Sequence, residues 1–434
     1  MALGYKSLRS GFKPYTYLIL AIEAFINGSD FDKSFGHVRH PDITPKERVR
    51  LEFLLTQSVR YYNLHNHIIQ KYLTKKPQKK FQSYIQAVLM AGCTEVLCSA
   101  SEDNIILSKY TDIVKYHPKA KHLSGLIRAI LGQIAKDKNS LKSLYQDFAL
   151  IFDKAFYASV KADYPDDADH IFKYLLQKPS IGLSVLQKDF KYPETISPNH
   201  DKHFNLDETV SLLDYQPFTS GQVTVQSFAS ALPVLGLGDI KGKVFYDLCA
   251  APGGKSLQAA AAGANVTSVD ISSKRMQKLE ENLLRTGLDA QLKTVSVLDF
   301  MPENPADIIL LDAPCSATGT LRKNPDLVSR ASLKDIAGLC DLQKKLLNHA
   351  AGLVKKDGIL VYATCSLSKQ EGEEQIKAFL EKHKNFKAFL PEMYKSYDFI
   401  YKDNMIRILP SHRAQTGGMD GFFICYMECS YTKS

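Results

Sequence analysis

The sequence predicts an all-helical N-terminal domain followed by a doubly wound α/β sheet. Two patterns carry this expectation, and the length permits it. Through residues 1–145 apolar residues recur at helical spacing, with no strand-like alternation. From about residue 241 short apolar runs alternate with helical stretches, the signature of parallel strands joined by crossover helices. The 434 residues suffice for two or three domains with cores of their own.

Taken in order, the helical part contains "TPKERVRLEFLLTQSVRYYNLHNHIIQKYL", whose Thr44-Pro45 is a helix-start signal. The stretches "KKFQSYIQAVLMAGCTEVLCS" and "AKHLSGLIRAILGQIAKD" repeat the pattern, and "KKPQKK" at 75–80 reads as a loop. Residues 146–225 read as a linker and a small α/β subdomain. They hold a helix near "ADHIFKYLLQ", then Pro179, Pro193 and Pro198, with short strands in "SIGLSVLQ" and "GQVTVQSF". Residues 226–434 form the sheet domain. Its strands are expected in "KVFYDLCA", "NVTSVDIS", "LKTVSVLD", "ADIILLDA" and "GILVYATC". The helices "SKRMQKLEENLLRTG" and "LKDIAGLCDLQKKLLNHAAGLVKK" separate them, and "SHRAQTGGMDGFF" is expected to give an active-site loop and a final strand.

Composition narrows the function. Residues 1–150 hold 22 Lys and Arg against 12 Asp and Glu, a net of +10, while the remainder holds 33 against 34. A helical domain carrying all the excess positive charge points to a polyanion partner, nucleic acid first. The apolar run "YLILAIEAFI" is broken by Glu23, too short to span a bilayer, and followed by no cleavage signal. A cytoplasmic protein is the expectation. The eight cysteines form no CxxC pair and lie near no His cluster at zinc spacing, so free thiols and no metal are expected.

The stretch "DLCAAPGGKS" (247–256) ends like a phosphate-binding loop. That loop needs a glycine five positions before Gly254, where Cys249 stands, so the phosphate reading fails. A glycine turn between strand and helix still brings backbone close to a ligand. Asp270 follows Gly253 by 17 residues, the place of a ribose-binding acid. Asp299 in "VLDF" is expected to end the third strand and meet an adenine amino group. Turn, acid and acid on successive strands suit an adenosine-containing cofactor.

"DLCAAPGGKS", "DAPCSATGTLRKNPD", "VYATCS" and "DGFF" together resemble the RNA 5-methylcytosine methyltransferases that use S-adenosylmethionine. The helical "ERVRLEFLLTQSVRYYNLHNHIIQKYL" and "LSGLIRAIL" resemble the NusB-like domain that precedes the catalytic domain in bacterial small-subunit rRNA methyltransferases of type B. The resemblance implies a class I methyltransferase sheet of Rossmann-like form. It implies that Cys249, Ala250, Ala251, Pro252, Gly253, Gly254, Lys255, Asp270, Asp299 and Asp312 contact or border S-adenosylmethionine. The chemistry it implies is covalent. Cytosine C5 is a poor nucleophile until a thiolate adds to C6, and covalent catalysis divides one hard step into easier ones. Carried over, Cys365 attacks C6, Cys315 assists release, and Asp312 holds the N3 edge. Arg322 and Lys323 are expected to meet RNA phosphates, contacts that position without specifying sequence. The expected substrate is small-subunit rRNA, at a single-stranded or flipped cytosine, and the expected state is a monomer. The same chemistry on tRNA, and a non-catalytic ribosome-assembly factor, are the rivals. The sequence departs from the family pattern at Ser227, Ala231, Asn324 and Arg128 and has no tryptophan.

Overall fold

The computed structural model describes residues 9–73, 82–192, 199–207, 209–330 and 335–430. The lysine run at 75–80, Pro193 and Pro198 lie outside the described residues. The chain forms two compact units: Met1–Ala158 with Asn324–Ser332, and Ser159–Lys323 with Leu333–Ser434.

The first unit is helical. Thr44 caps the helix Pro45–Arg60: its side chain accepts the Glu47 N–H while Glu47 accepts the Thr44 N–H. This reciprocal cap, with Pro45 at the first position, starts the helix where the sequence predicts. The helix Gln82–Cys98 is buried along most of its length and forms the centre of the unit. A buried Glu95 accepts from Arg50, Lys109 and Tyr110, so its charge is fully partnered. The short helix Pro325–Arg330 belongs to this unit although it follows the sheet strands in sequence. Its Arg330 guanidinium lies 3.8 Å from the Phe25 ring centre and donates to the Ser29 carbonyl at 3.1 Å.

The second unit carries both sheets. A small antiparallel sheet pairs β1 (Gly182–Val185) with β2 (His203–Asn205) and β3 (Val223–Val225). The large sheet contains β4 (Val244–Leu248), β5 (Asn265–Asp270), β6 (Gln291–Thr294), β7 (Ala306–Asp312) and β8 (Val354–Thr364). It continues with β9 (Phe386–Phe389), β10 (Ile400–Lys402), β11 (Met405–Ile408) and β12 (Phe422–Cys429). The order is β10-β11-β12-β8-β7-β4-β5-β6, with β9 on β12. Strands β8-β7-β4-β5-β6 run parallel, and β12 closes antiparallel on β8. The strand order reverses between β4 and β7, so ligands are expected outside their carboxyl ends.

Alternation along the central strands feeds two cores. Ile309, Leu311, Leu360 and Tyr362 face the helices Ile336–Ala351 and Glu373–Lys382. Ile308, Leu310, Val361 and Ala363 face the helices Phe228–Leu235 and Gly254–Ala261. Each fully buried Leu or Ile contributes about 1.5–3 kcal/mol, so this double core fixes the strand ends that carry the site. No helix among the described residues is long and apolar enough to cross a membrane.

Candidate active site

The glycine turn begins where β4 ends. Cys249 takes φ 63° and Gly253 φ 104°, and Gly253 caps the helix Gly254–Ala261. Only glycine fits there: a Cβ would lie 2.1 Å from Leu279 Cδ1. Below the turn, Asp247 is fully buried, and its Oδ2 accepts the Ser256 hydroxyl at 2.6 Å. Its Oδ1 has no partner among the described residues. Burial pushes the Asp247 carboxyl up to about 7, and the charges of Asp312 and Asp270 add to the rise. Burial and the same three acids raise the Cys249 thiol to about 12.

Lys255 enters from the helix and is itself buried. Its ammonium donates to Asp312 Oδ2 at 2.6 Å and to the Ser230 hydroxyl at 2.9 Å. Asp312 ends β7. Asp270 ends β5, where its carboxylate accepts the Ala251 N–H at 3.2 Å and the Ser272 N–H at 2.9 Å. The Arg275 guanidinium also spans both Asp270 oxygens, at 2.8 and 3.0 Å. Residues 249–255, Asp270 and Asp312 thus gather at the carboxyl ends of β4, β5 and β7. Asp299 departs from expectation. Strand β6 stops at Thr294, and Asp299 sits five residues later on an exposed 3₁₀ turn, Val297–Asp299. Val297, on that turn, is buried in the core.

The two cysteines meet. Strands β7 and β8 are parallel neighbours, and the loops after them bring Cys315 Sγ to 3.4 Å from Cys365 Sγ. The Gly319 N–H donates to the Cys365 carbonyl at 2.9 Å, which ties the loops together. The Cys315 thiol is raised well above its usual range by its hydrogen bond to Cys365, by burial, and by the charges of Cys365 and Glu371. Cys315 therefore holds its proton at rest, and either sulfur can donate in the contact between the two. Among the described residues no group of three or more His, Cys, Asp or Glu is arranged to hold a metal.

The expected RNA contacts divide. Arg322 is 3 % exposed, and its guanidinium donates to the Gly417 carbonyl at 2.8 Å. Although buried, it braces the C-terminal loop and lines the same polar cleft as Lys323. Lys323 is exposed and pairs with Asp420 at 2.5 Å. It lines a polar cleft with Arg413, Asn199, Asn205 and Ser227. Sequence reasoning missed Arg413, whose only local signal was a basic residue in a glycine-rich loop. It also missed Glu371 and Arg407. Glu371 stands just before a helix that opens with Glu373 and Glu374, where acids are ordinary, and Arg407 lies within β11, a strand that the sequence did not announce. Of the departures from the family pattern, Ser227 lines this cleft, Ala231 offers its carbonyl to Gln258 at 3.4 Å, and Arg128 is exposed on the helix Ser124–Lys136.

Comparison with known proteins places the chain in a family. Residues 235–428 match the family described as 16S rRNA methyltransferase RsmB/F, and residues 20–136 match the NusB family. The ribosomal RNA small subunit methyltransferase B of Serratia proteamaculans (strain 568) is 31% identical over 79% of this chain and 83% of its own length. That of Proteus mirabilis (strain HI4320) is 30% identical over 83% and 90%. The crystal structure of PH0851 has the same fold, with a TM-score of 0.78 at 23% identity over 97% of this chain and 99% of its own. A methyltransferase homolog protein from Pyrococcus horikoshii superposes with a TM-score of 0.56 at 24% identity, over 65% of this chain and 98% of its own. A glycine turn, two facing cysteines and a relative above 30% identity along most of its length lead to one assignment: the chain belongs to the RsmB/F family of 16S rRNA methyltransferases and is an RNA methyltransferase with a NusB-family domain.

Proposed function

We propose that this enzyme methylates C5 of a cytosine in small-subunit rRNA through a covalent bond between Cys365 Sγ and cytosine C6. The observation that carries the reading is the 3.4 Å approach of the two thiols at adjacent strand ends. S-adenosylmethionine, when bound, supplies the electrophilic methyl group. The chain fits it on two counts. Three carboxylates, Asp247, Asp270 and Asp312, crowd the strand ends, and one oxygen of Asp247 is buried without a partner. A ligand carrying sulfonium and ammonium charges relieves that field. Residues 249–255 would border it, and Asp270 would meet the ribose once Arg275, half exposed, gives up one of its oxygens.

The chain's own residues then act in sequence. The Cys365 thiolate adds to C6, and the C5–C6 π electrons become available at C5. Asp312 holds the N3 edge, with Lys255 fixing its carboxylate. After C5 is methylated, Cys315 removes the C5 proton, the C5–C6 double bond re-forms, and the Cys365 thiolate leaves. Adduct formation prepares this step. Once Cys365 Sγ is a thioether it carries no charge, so one cause of the raised Cys315 pKa disappears, and Cys315 can release its proton to solvent and act as the base. Lys323 and Arg413 would hold the RNA backbone at the cleft beside this loop, since the Gly421 N–H donates to the Gly319 carbonyl.

The test is transfer of a labelled methyl group to RNA by wild type, Cys365→Ala and Cys315→Ala, each mixture run on a denaturing gel. The expected result is an inactive Cys365→Ala and an RNA adduct trapped by Cys315→Ala. Trapping by Cys365→Ala reverses the roles. Absence of transfer by wild type to any RNA refutes the reading in favour of an RNA-binding assembly factor.

A further inference from the structure

Each cysteine is followed by a serine, Ser316 and Ser366, and both serines turn to one side chain. Glu371, 0 % exposed, lies on the 3₁₀ turn Lys369–Glu371 just past the second cysteine loop. Its Oε1 accepts the Ser316 N–H at 2.8 Å and the Gln343 amide at 3.0 Å. Its Oε2 accepts the Ser316 hydroxyl and the Ser366 hydroxyl, each at 2.5 Å. The two hydroxyl oxygens lie 3.0 Å apart. Gln343 also donates to the Pro314 carbonyl at 2.9 Å, so the bracket grips the first loop on both sides of Cys315. The Glu371 backbone is held in turn, because the Tyr362 hydroxyl donates to its carbonyl at 2.9 Å.

Four donors converge on this side chain, three from the two loops and one from the helix Ile336–Ala351. A carboxylate alone among side chains accepts four hydrogen bonds and offers none in competition. Burying that charge is costly unless every lone pair is used, and here three of the four uses lie on the serines that follow the two thiols. A helix-start acid needs none of this. Its partners would be the first N–H groups of its own helix, whereas Glu371 reaches a strand end 55 positions earlier in the chain.

We propose that Glu371 is a positioning residue, which locks the two cysteine loops in one register so that Cys315 and Cys365 address the same cytosine. The inference rests on the two-thiol reaction proposed above and adds a residue to it. Glu371 acts on Cys315 a second way, through charge: its carboxylate is among the groups that raise the Cys315 thiol. Clamp and field together keep Cys315 in place and protonated until the adduct forms.

Glu371→Gln keeps the side-chain volume and the acceptor toward Ser316 but removes the charge. Glu371→Ala removes the clamp. In the full-length protein three readouts are taken: kcat with KM for S-adenosylmethionine, Tm, and the pH profile of iodoacetamide alkylation at Cys315 resolved by mass spectrometry. Glu371→Gln is expected to lose about 10²-fold in kcat, the usual penalty for a displaced reacting group, with KM for S-adenosylmethionine unchanged. The Cys315 alkylation profile should move to lower pH. Wild-type kcat with an unmoved alkylation profile overturns the proposal. So does a fall in kcat matched by equal losses in cofactor binding and Tm, which would make Glu371 merely structural. If Glu371→Ala does not fold, Glu371→Gln still decides. Alkylation needs no turnover, so failure of the two-thiol reaction itself, seen as an inactive wild type, is distinguishable from failure of this inference.

Discussion

Replacing Asp247 by Asn tests the electrostatics beneath the glycine turn without touching either cysteine. The carboxyl is fully buried and holds one hydroxyl, from Ser256. Its pKa rises from an ordinary 3.8 in the unfolded chain to about 7 in the folded one. Between those values the native state binds the proton more tightly, so stability is greatest at low pH and falls as pH climbs toward 7. The rise is roughly three units, and each unit is about 1.36 kcal/mol, so wild type loses about 4 kcal/mol across the window. Asn cannot ionise, so Asp247→Asn lacks this slope. Its fixed cost, a buried amide facing the same unpartnered position, is constant with pH and drops out of the comparison. Between about pH 5 and about pH 8 the stability of wild type relative to the variant should fall by about 3 kcal/mol. The assay is urea denaturation followed by circular dichroism, since the chain has no tryptophan to report by fluorescence. Saturating S-adenosylmethionine should narrow the difference by neutralising the acid cluster. Parallel pH curves for the two proteins would refute the reasoning, because the carboxyl would then titrate as an exposed one does.

Other consequences are as direct. Gly253→Ala forces a side chain into φ 104° and against Leu279, which should cost about 2–5 kcal/mol by thermal denaturation, whereas Gly254→Ala, 3.4 Å from Gln226, should cost far less. Arg407→Leu strips the partly buried Glu373 of its bidentate partner and the Ser366 and Ser368 carbonyls of their donor. It should destabilise by about 3–5 kcal/mol in urea, and adding Glu373→Leu should recover most of the loss. Lys323→Ala and Arg413→Ala should each reduce the salt slope of RNA binding by about 0.7, the value for one single-strand phosphate contact. Arg322→Ala should lower stability and leave that slope unchanged, since its guanidinium is spent on the Gly417 carbonyl.

Parallel strands advertise themselves. Both faces of β4, β7 and β8 are buried, so "KVFYDLCA", "ADIILLDA" and "GILVYATC" read as near-continuous apolar runs and their ends are legible. At the sheet edge the signal fails. Strand β6 is largely exposed and polar, which is why "LKTVSVLD" seemed to run on to Asp299. The antiparallel β9, β10 and β11 are three or four residues long and carry no turn signature strong enough to separate them. In the site, residues grouped along the chain were found and residues grouped by folding were not. Glu371 sits among Glu373 and Glu374, and nothing local says that one of three acids folds back on Ser316. Arg322 and Lys323 are neighbours that line one cleft yet differ in burial, and nothing local in the sequence tells the buried one from the exposed one.

The helix Pro325–Arg330 sets a timetable for synthesis. The N-terminal unit ends at Ala158 in its first pass, yet the residue that covers Phe25 and satisfies the Ser29 carbonyl is Arg330. A growing chain that has already made every long helix of that unit must wait for 172 further residues before the last piece arrives. At about 5–20 residues per second the wait is roughly 10–30 s. During it the Phe25 ring and the Ser29 carbonyl lack the side chain that covers them, within reach of any holdase or neighbouring nascent chain.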